Sequence, residues 1–329
     1  MNQERARALR PLRTLPVGRM LLALLAAAGA GAMPGCRKQD DAGGPRQTAA
    51  SAAAYPAPAR AAPLLVGLRR SSYGLPARNA DDAWWAARAR EFAAHFPGSQ
   101  PAIVEIVSTY QNDGSTRFEF ARPTGYAGAN EPISFRPGPV DHERALGLYD
   151  QEGVKAILQI ESGSADVGRC LEIARAAFGA HPCVAGFGVD VEWRFYKETP
   201  GKAGQPVSDE DAKGWMEKVL AFGPGCTLFL KHWDARFMPP TYRHGRLWFL
   251  SDSQQFDGLP GMMSDFSAWS RLLAGSTVGY QFGYPKDEKW WSRLAQAPSD
   301  IGQRVVRDIP ACRYLFWVDF TADKVTFGE

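Results

Sequence analysis

Asp190 and Glu192, in the stretch "GFGVDVEW" (186–193), are two carboxylates two residues apart. Successive side chains alternate faces on an extended chain. Both acids therefore share a face with Gly186 and Gly188, and Phe187, Val189 and Val191 take the other. Like charges this close in apolar surroundings resist burial, which raises the pKa of at least one of them. A carboxyl that holds its proton near neutral pH can act as a general acid. The run "VKAILQIESG" (154–163) has the same layout, with Gln159 and Glu161 on one face and Ala156, Leu158 and Ile160 on the other. Other short apolar runs also end in polar or aromatic residues. These ends carry Arg69 and Tyr73, Glu105 and Tyr110, Trp193, and Lys231, His232 and Trp233. Further along come Asp252 and Gln254, Tyr280 and Gln281, and Trp317 and Asp319.

From residue 63 onward, eight such runs alternate with helical stretches. The expected strands are 63–74, 101–110, 154–163, 184–193, 226–234, 246–256, 276–284 and 312–320. Helices are expected at 81–96, from Asp141, after Glu161, from Ser208, around 264–275 and from Asp287 to about Arg307. No helix is visible between Ala235 and Gly245. Strict alternation implies parallel strands joined by right-handed crossovers, and eight units over residues 63–329 match an α/β (β/α)8 barrel. A doubly wound sheet competes, but no glycine-rich phosphate fingerprint follows the first strand. In a barrel the site lies at the C-terminal strand ends, which is where these polar residues fall.

With the strand placed, "GFGVDVEW" resembles the fourth-strand segment of chitinase-like glycoside hydrolases of family 18, whose pattern is DxxDxDxE. Asp190 and Glu192 match its final DxE, and Ala185 and Gly188 stand where the earlier acids fall. Family 25 lysozyme-like barrels also carry a DxE. The resemblance implies that Glu192 protonates the leaving glycosidic oxygen. It also implies that Asp190 orients a substrate N-acetyl group acting as nucleophile. Without that assistance hydrolysis needs a second carboxylate, for which Glu161, Asp252 and Asp319 are the candidates. Trp317 is similar in place to the Trp that floors the family 18 subsite.

Sugar C–H faces stack on aromatic rings, so Trp193, Trp233, Tyr280, Tyr284 and Trp317 are candidate contacts, with Gln159, Lys231, Asp252, Gln281 and Asp319 as polar ones. Two long excursions would wall the mouth. One is 111–140, with Arg117, Phe118, Phe120, Tyr126 and Phe135; the other is 194–207. Plainer readings stand beside these. Asp190 and Glu192 could be ion-paired with Lys231 or Arg69, and Glu161 could cap a helix. His232 could be a hydrogen-bonded core residue, and Trp84, Trp85, Trp290 and Trp291 lie in helices and serve packing.

The chain has 329 residues, 45% of them hydrophobic, enough for one large core. Its net charge is +3, and the first 35 residues hold five Arg against one Glu, so the remainder is close to neutral. A near-neutral body offers no field for nucleic acid. Residues 1–35 read as an export signal, with a basic start and a short apolar run from Met20. "AMPGC" resembles a bacterial lipobox with Cys36 as the acylated residue, which implies a lipid-anchored protein of the cell membrane or outer membrane. Residues 36–62 are rich in Ala and Pro and read as a flexible tether. Cys170, Cys183, Cys226 and Cys312 allow two disulfides, one or none, and their spacing predicts neither a metal site nor a cofactor. The expected function is an exported glycoside hydrolase. The alternative is a non-catalytic, sugar-binding lipoprotein on the same barrel.

Overall fold

The computed structural model describes residues 63–75, 81–128, 130–199, 203–223 and 225–328. The export signal, Cys36 and the tether lie outside them. Eight parallel strands close a barrel: β1 (Leu65–Arg70), β2 (Gln100–Ile106), β6 (Lys155–Ile160), β7 (Val184–Asp190), β8 (Thr227–Lys231), β9 (Leu247–Ser251), β10 (Thr277–Phe282) and β11 (Cys312–Trp317). Going round, their order is β1-β11-β10-β9-β8-β7-β6-β2, so each strand pairs with its neighbours in sequence and the last closes on the first. The expected (β/α)8 barrel is what forms.

The helices are α1 (Asp82–Ala94), α2 (His142–Glu152), α3 (Val167–Phe178), α4 (Asp209–Phe222), α5 (Leu259–Leu272), α6 (Glu288–Trp291) and α7 (Ala297–Asp308). The Asp81, Asp141 and Asp166 side chains accept from backbone N–H groups three residues on, and Ser208 with Asp211 forms a capping box. Between β8 and β9 only a 3-10 turn, Ala235–Phe237, forms, as the missing helical pattern suggests.

Alternation along each strand sorts two cores. Val66, Phe187, Leu228, Phe249 and Leu315 face outward and pack against the helices. Leu65, Val104, Ile157, Phe229, Trp248, Leu250, Tyr314 and Phe316 fill the barrel interior. Gly188 has a specific task here, because any Cβ at that position would overlap the Phe229 ring. Gly279 likewise gives room to Trp248 and Tyr314, which stack with centroids 3.5 Å apart.

The excursion after β2 differs from expectation. It builds a small sheet from β3 (Ser108–Tyr110), β4 (Thr116–Phe118) and β5 (Ile133–Phe135). Phe118, Phe120, Tyr126 and Phe135 pack on one another, and Phe120 meets Phe178 of α3 edge-on. Phe118 belongs to the outer core and the other three pack against it, so these rings serve packing. All four body cysteines are free thiols. Among the described residues no helix is long and apolar enough to cross a membrane.

Candidate active site

The observed strands are shorter than the apolar runs, and the residues left over at their C-terminal ends assemble the site. β7 stops at Asp190, and the chain turns at once into a 3-10 turn, Val191–Trp193. Val191 stays buried against the outer core, and Glu192 is half-buried. Asp190 lies in register with Lys231 on the neighbouring strand. The Lys231 Nζ donates to Asp190 Oδ2 at 2.7 Å and to Asp252 Oδ2 at 2.8 Å. Gln159 Nε2 also donates to Asp190 Oδ2, at 3.3 Å. The ion-paired reading of Asp190 is thus part of its environment, and its partner is Lys231.

Four buried polar atoms in this group have no partner among the described residues: Asp190 Oδ1, Asp252 Oδ1, Gln159 Oε1 and Gln281 Nε2. Gln281 Oε1 accepts from the Tyr284 hydroxyl at 3.2 Å. Glu161 accepts from the Tyr73 hydroxyl and from the Tyr110 N–H, both at 2.8 Å. No side chain among the described residues bonds to Glu192.

Crowding shows in the titration of these acids. Burial, then the charges of Asp252 and Asp190, push Glu192 up to about 8, and Lys231 offsets only part of this. Burial and Asp190 raise Glu161 to about 7 against the pull of its two hydrogen bonds. Burial raises Asp190 to about 6 despite Lys231. Burial opposes the charge on Lys231, but Asp190 and Asp252 outweigh it and hold the ammonium protonated.

Beside this group Arg69 is closed off. Its Nε donates to Asp319 Oδ1 at 3.1 Å, its Nη2 also bonds to Asp319, and Ser71 donates to the other oxygen. Phe320 lies 4.6 Å from the guanidinium. Asp319 is thereby fully buried and committed.

Aromatic rings border the acids on one side. Trp193 stacks on Tyr110 with centroids 5.1 Å apart and touches Tyr196 at 4.8 Å. Trp233 leaves 46% of its surface exposed. Two expected contacts fail. Tyr280 faces the helices, stacked on Phe266 with its hydroxyl donating to the Phe266 carbonyl at 2.8 Å. Adjacent residues on a strand cannot share a face, and the inward place on β10 goes to Gln281. Trp317 is fully buried on the outer side among Phe282, Trp291 and Phe327, donating to Thr321 Oγ1 at 3.0 Å. It floors no subsite. Glu105 also leaves the mouth. It points outward to His142 (2.9 Å), Tyr149 (3.3 Å) and Arg70 (3.9 Å).

His232 follows the core reading. Its Nδ1 accepts from the Asp234 N–H, its Nε2 meets the Ala203 carbonyl at 2.8 Å, and burial lowers its pKa. Tyr196, Ser71 and Phe320 escaped the sequence reading. Tyr196 has a visible signal, an aromatic three residues past Trp193, but Ser71 and Phe320 have none. One further grouping lies at the opposite end of the barrel, before β7. Ligand atoms of Asp150, His181 and Cys183 come within 4.8 Å of one another, and His181 Nδ1 is 2.6 Å from Asp150.

No protein-family model matches the chain, and no curated protein matches it in sequence. Similar solved structures include a β-D-glucuronidase from Dictyoglomus thermophilum, at 12% identity, TM-score 0.42, over 77% of this chain and 43% of that one. An endo-glycoceramidase II from Rhodococcus sp. is 12% identical, TM-score 0.39, over 77% of this chain and 73% of that one. A glycoside hydrolase family 5 enzyme from Prevotella bryantii B14 is 12% identical, TM-score 0.38, over 72% of this chain and 81% of that one. The chain therefore spans less than half the length of the glucuronidase.

Proposed function

We propose that this chain is an exported glycoside hydrolase with Glu192 as its general acid. The observation that carries the reading is Glu192 itself: half-buried, bonded by no side chain among the described residues, and held protonated near neutral pH by burial and then by the charges of Asp252 and Asp190. Such a group can donate to a leaving glycosidic oxygen at the barrel mouth. Asp190 is fixed by Lys231 and Gln159 and tunes Glu192 through its charge. Glu161 is the partner carboxylate, positioned by the Tyr73 hydroxyl and the Tyr110 N–H, which offset only part of the rise to about 7 that burial and Asp190 cause. On a glycan with N-acetylhexosamine, the amide N–H could instead donate to Asp190 Oδ1 and the substrate supply the nucleophile, as the family 18 resemblance implies. Trp193 and Trp233 offer the stacking faces.

One observation favours a non-catalytic, sugar-binding protein. The place of a family 18 acid at Gly188 is filled by the Phe229 ring, so that acid has no room here. Reducing-sugar release from a panel of glycans decides between the two. Glu192→Gln should lower the rate by about two to four orders of magnitude and leave affinity nearly intact. Binding without turnover by the wild-type chain would establish the sugar-binding reading instead.

The anchoring reading is a separate part of the proposal. Cys36 becomes the acylated first residue of the mature chain, and residues 36–62 tether the barrel to the membrane. Cys36→Ser should accumulate as unprocessed precursor, and normal maturation of that variant would refute lipidation.

A further inference from the structure

We infer that Asp150, His181 and Cys183, at the N-terminal end of the barrel, bind one zinc ion that ties α2 to the segment leading into β7. The site is separate from the acids at the mouth and does not depend on the glycan reading.

Asp150 lies in the last turn of α2, and His181 and Cys183 lie in the short link between α3 and β7. The link is a fixed turn. The His181 N–H donates to the Phe178 carbonyl, and the Val184 N–H donates to the His181 carbonyl, both at 3.1 Å. A carboxylate oxygen, an imidazole nitrogen and a sulfur, one from each residue, all lie within 4.8 Å of one another. Bonds of about 2.0–2.3 Å put the ligand atoms of a tetrahedral zinc site roughly 3.3–3.8 Å apart, so side-chain shifts of about 1 Å close the set on one point. Solvent reaches the group, because the His181 and Asp150 side chains are 14% and 22% exposed, with Cys183 buried beneath them. Asp150 is 31 residues from His181, so spacing along the sequence does not reveal the set.

The surroundings of the three residues suit the same ion. The Cys183 N–H donates to Asp150 Oδ1 at 2.6 Å and orients the carboxylate, whose Oδ2 is 2.6 Å from His181 Nδ1. The other ring nitrogen, Nε2, is 3.4 Å from Glu143 Oε1. A carboxylate on the far nitrogen is the common support of a metal-bound imidazole. It draws the ring proton to Nε2 and leaves the Nδ1 lone pair for the metal. Without a metal, an imidazolium between two carboxylates would account for His181, but the thiol beside them has no part in that ion pair. Thiolate, imidazole and carboxylate together favour zinc, whereas calcium and magnesium require oxygen sets. On binding, the thiol proton, and any proton on Nδ1, pass to solvent, and the two charges of the ion balance Asp150 and the thiolate. In such barrels the N-terminal face serves stability, so the ion is a staple and takes no part in the chemistry at the mouth.

The test titrates cobalt(II), then zinc(II), into the full chain after a chelator has stripped it of metal and with its thiols kept reduced. One cobalt per chain should give the near-ultraviolet thiolate-to-cobalt band and the visible bands of a tetrahedral ion, and zinc should abolish both. Cys183→Ala should lose the thiolate band, and His181→Gln should weaken binding at least about tenfold. Cys226→Ala, whose thiol lies outside the group, should keep the band. Zinc at about a hundredfold its Kd should raise the Tm of the wild-type chain by about 5 °C or more and leave that of Cys183→Ala unchanged. Thermal unfolding of the metal-free variants checks that they are folded, and the wild-type titration decides the matter even where one is not. A wild-type chain that gives no thiolate band overturns the inference. So does an unchanged band in Cys183→Ala, or equal stabilisation of the two chains by zinc.

Discussion

Replacing Glu192 by Gln should stabilise the protein, and by an amount that depends on pH. In the unfolded chain a Glu titrates at its ordinary value of about 4.5, whereas in the folded barrel Glu192 titrates at about 8. Between those values the folded state holds a proton that the unfolded state has released. Stability therefore falls as pH rises through this window and levels off above it. Each unit of difference corresponds to about 1.4 kcal/mol, so the full shift would amount to about 5 kcal/mol. Glu192 is only half-buried, and solvent screening reduces this to about 3 kcal/mol. Gln does not titrate and matches the protonated acid in size. The variant should therefore equal wild type in stability at about pH 4.5 and exceed it by about 3 kcal/mol at about pH 9. For a domain of this size that is a rise in Tm of roughly 6–12 °C at the alkaline end. Thermal unfolding of both chains across this range gives the answer. A constant offset between them, or a wild type that gains stability from acid to alkaline pH relative to the variant, would refute the crowded-acid account and the general acid with it.

Lys231→Met should leave Asp190 and Asp252 buried without their cation and destabilise the fold by about 3–5 kcal/mol at neutral pH. The loss, read from urea midpoints, should diminish on acidification as Asp190, already raised by burial, takes up its proton. Trp233→Ala should weaken glycan binding with almost no change in Tm, because the ring is 46% exposed. Trp317→Ala should do the opposite, lowering stability by about 3–5 kcal/mol through lost packing while the folded fraction binds glycan as before. Gly188→Val should destabilise by about 1–3 kcal/mol or more, because its side chain must displace Phe229 inside the barrel.

Barrel topology is legible in the sequence because hydrophobic alternation and helix-start residues are local signals. All eight strands and the missing helix after β8 follow from them. The carboxylate group is legible for the same reason: Gln159, Glu161, Asp190 and Lys231 share inward faces with small or apolar neighbours. Aromatic roles are not. Tyr280 and Trp317 lie at the expected strand ends, yet which of two adjacent residues points inward depends on register, and inward places went to Gln281 and Phe316. Glu105 illustrates the same limit, since its partners Arg70, His142 and Tyr149 come from other elements. Partner choice is also non-local for Arg69, which takes Asp319 from the far end of the body.

What raises the acids is the layer beneath them. Two residues before Gln159, Lys231 and Asp252 stand Ile157, Phe229 and Leu250, and all three belong to the barrel's inner core. Phe229 fits there because Gly188, two residues before Asp190, has no side chain. Below these, the stacked Trp248 and Tyr314 close the barrel further down. Asp190 and Glu161 are buried and Glu192 is half-buried, and desolvation is accordingly the largest cause of the raised values at Glu161, Asp190 and Glu192. A glycine in the opening motif is thus part of the acid chemistry. It admits the ring that packs beneath the carboxylates, burial lifts the acids, and the lifted Glu192 keeps the proton that its proposed role as general acid requires.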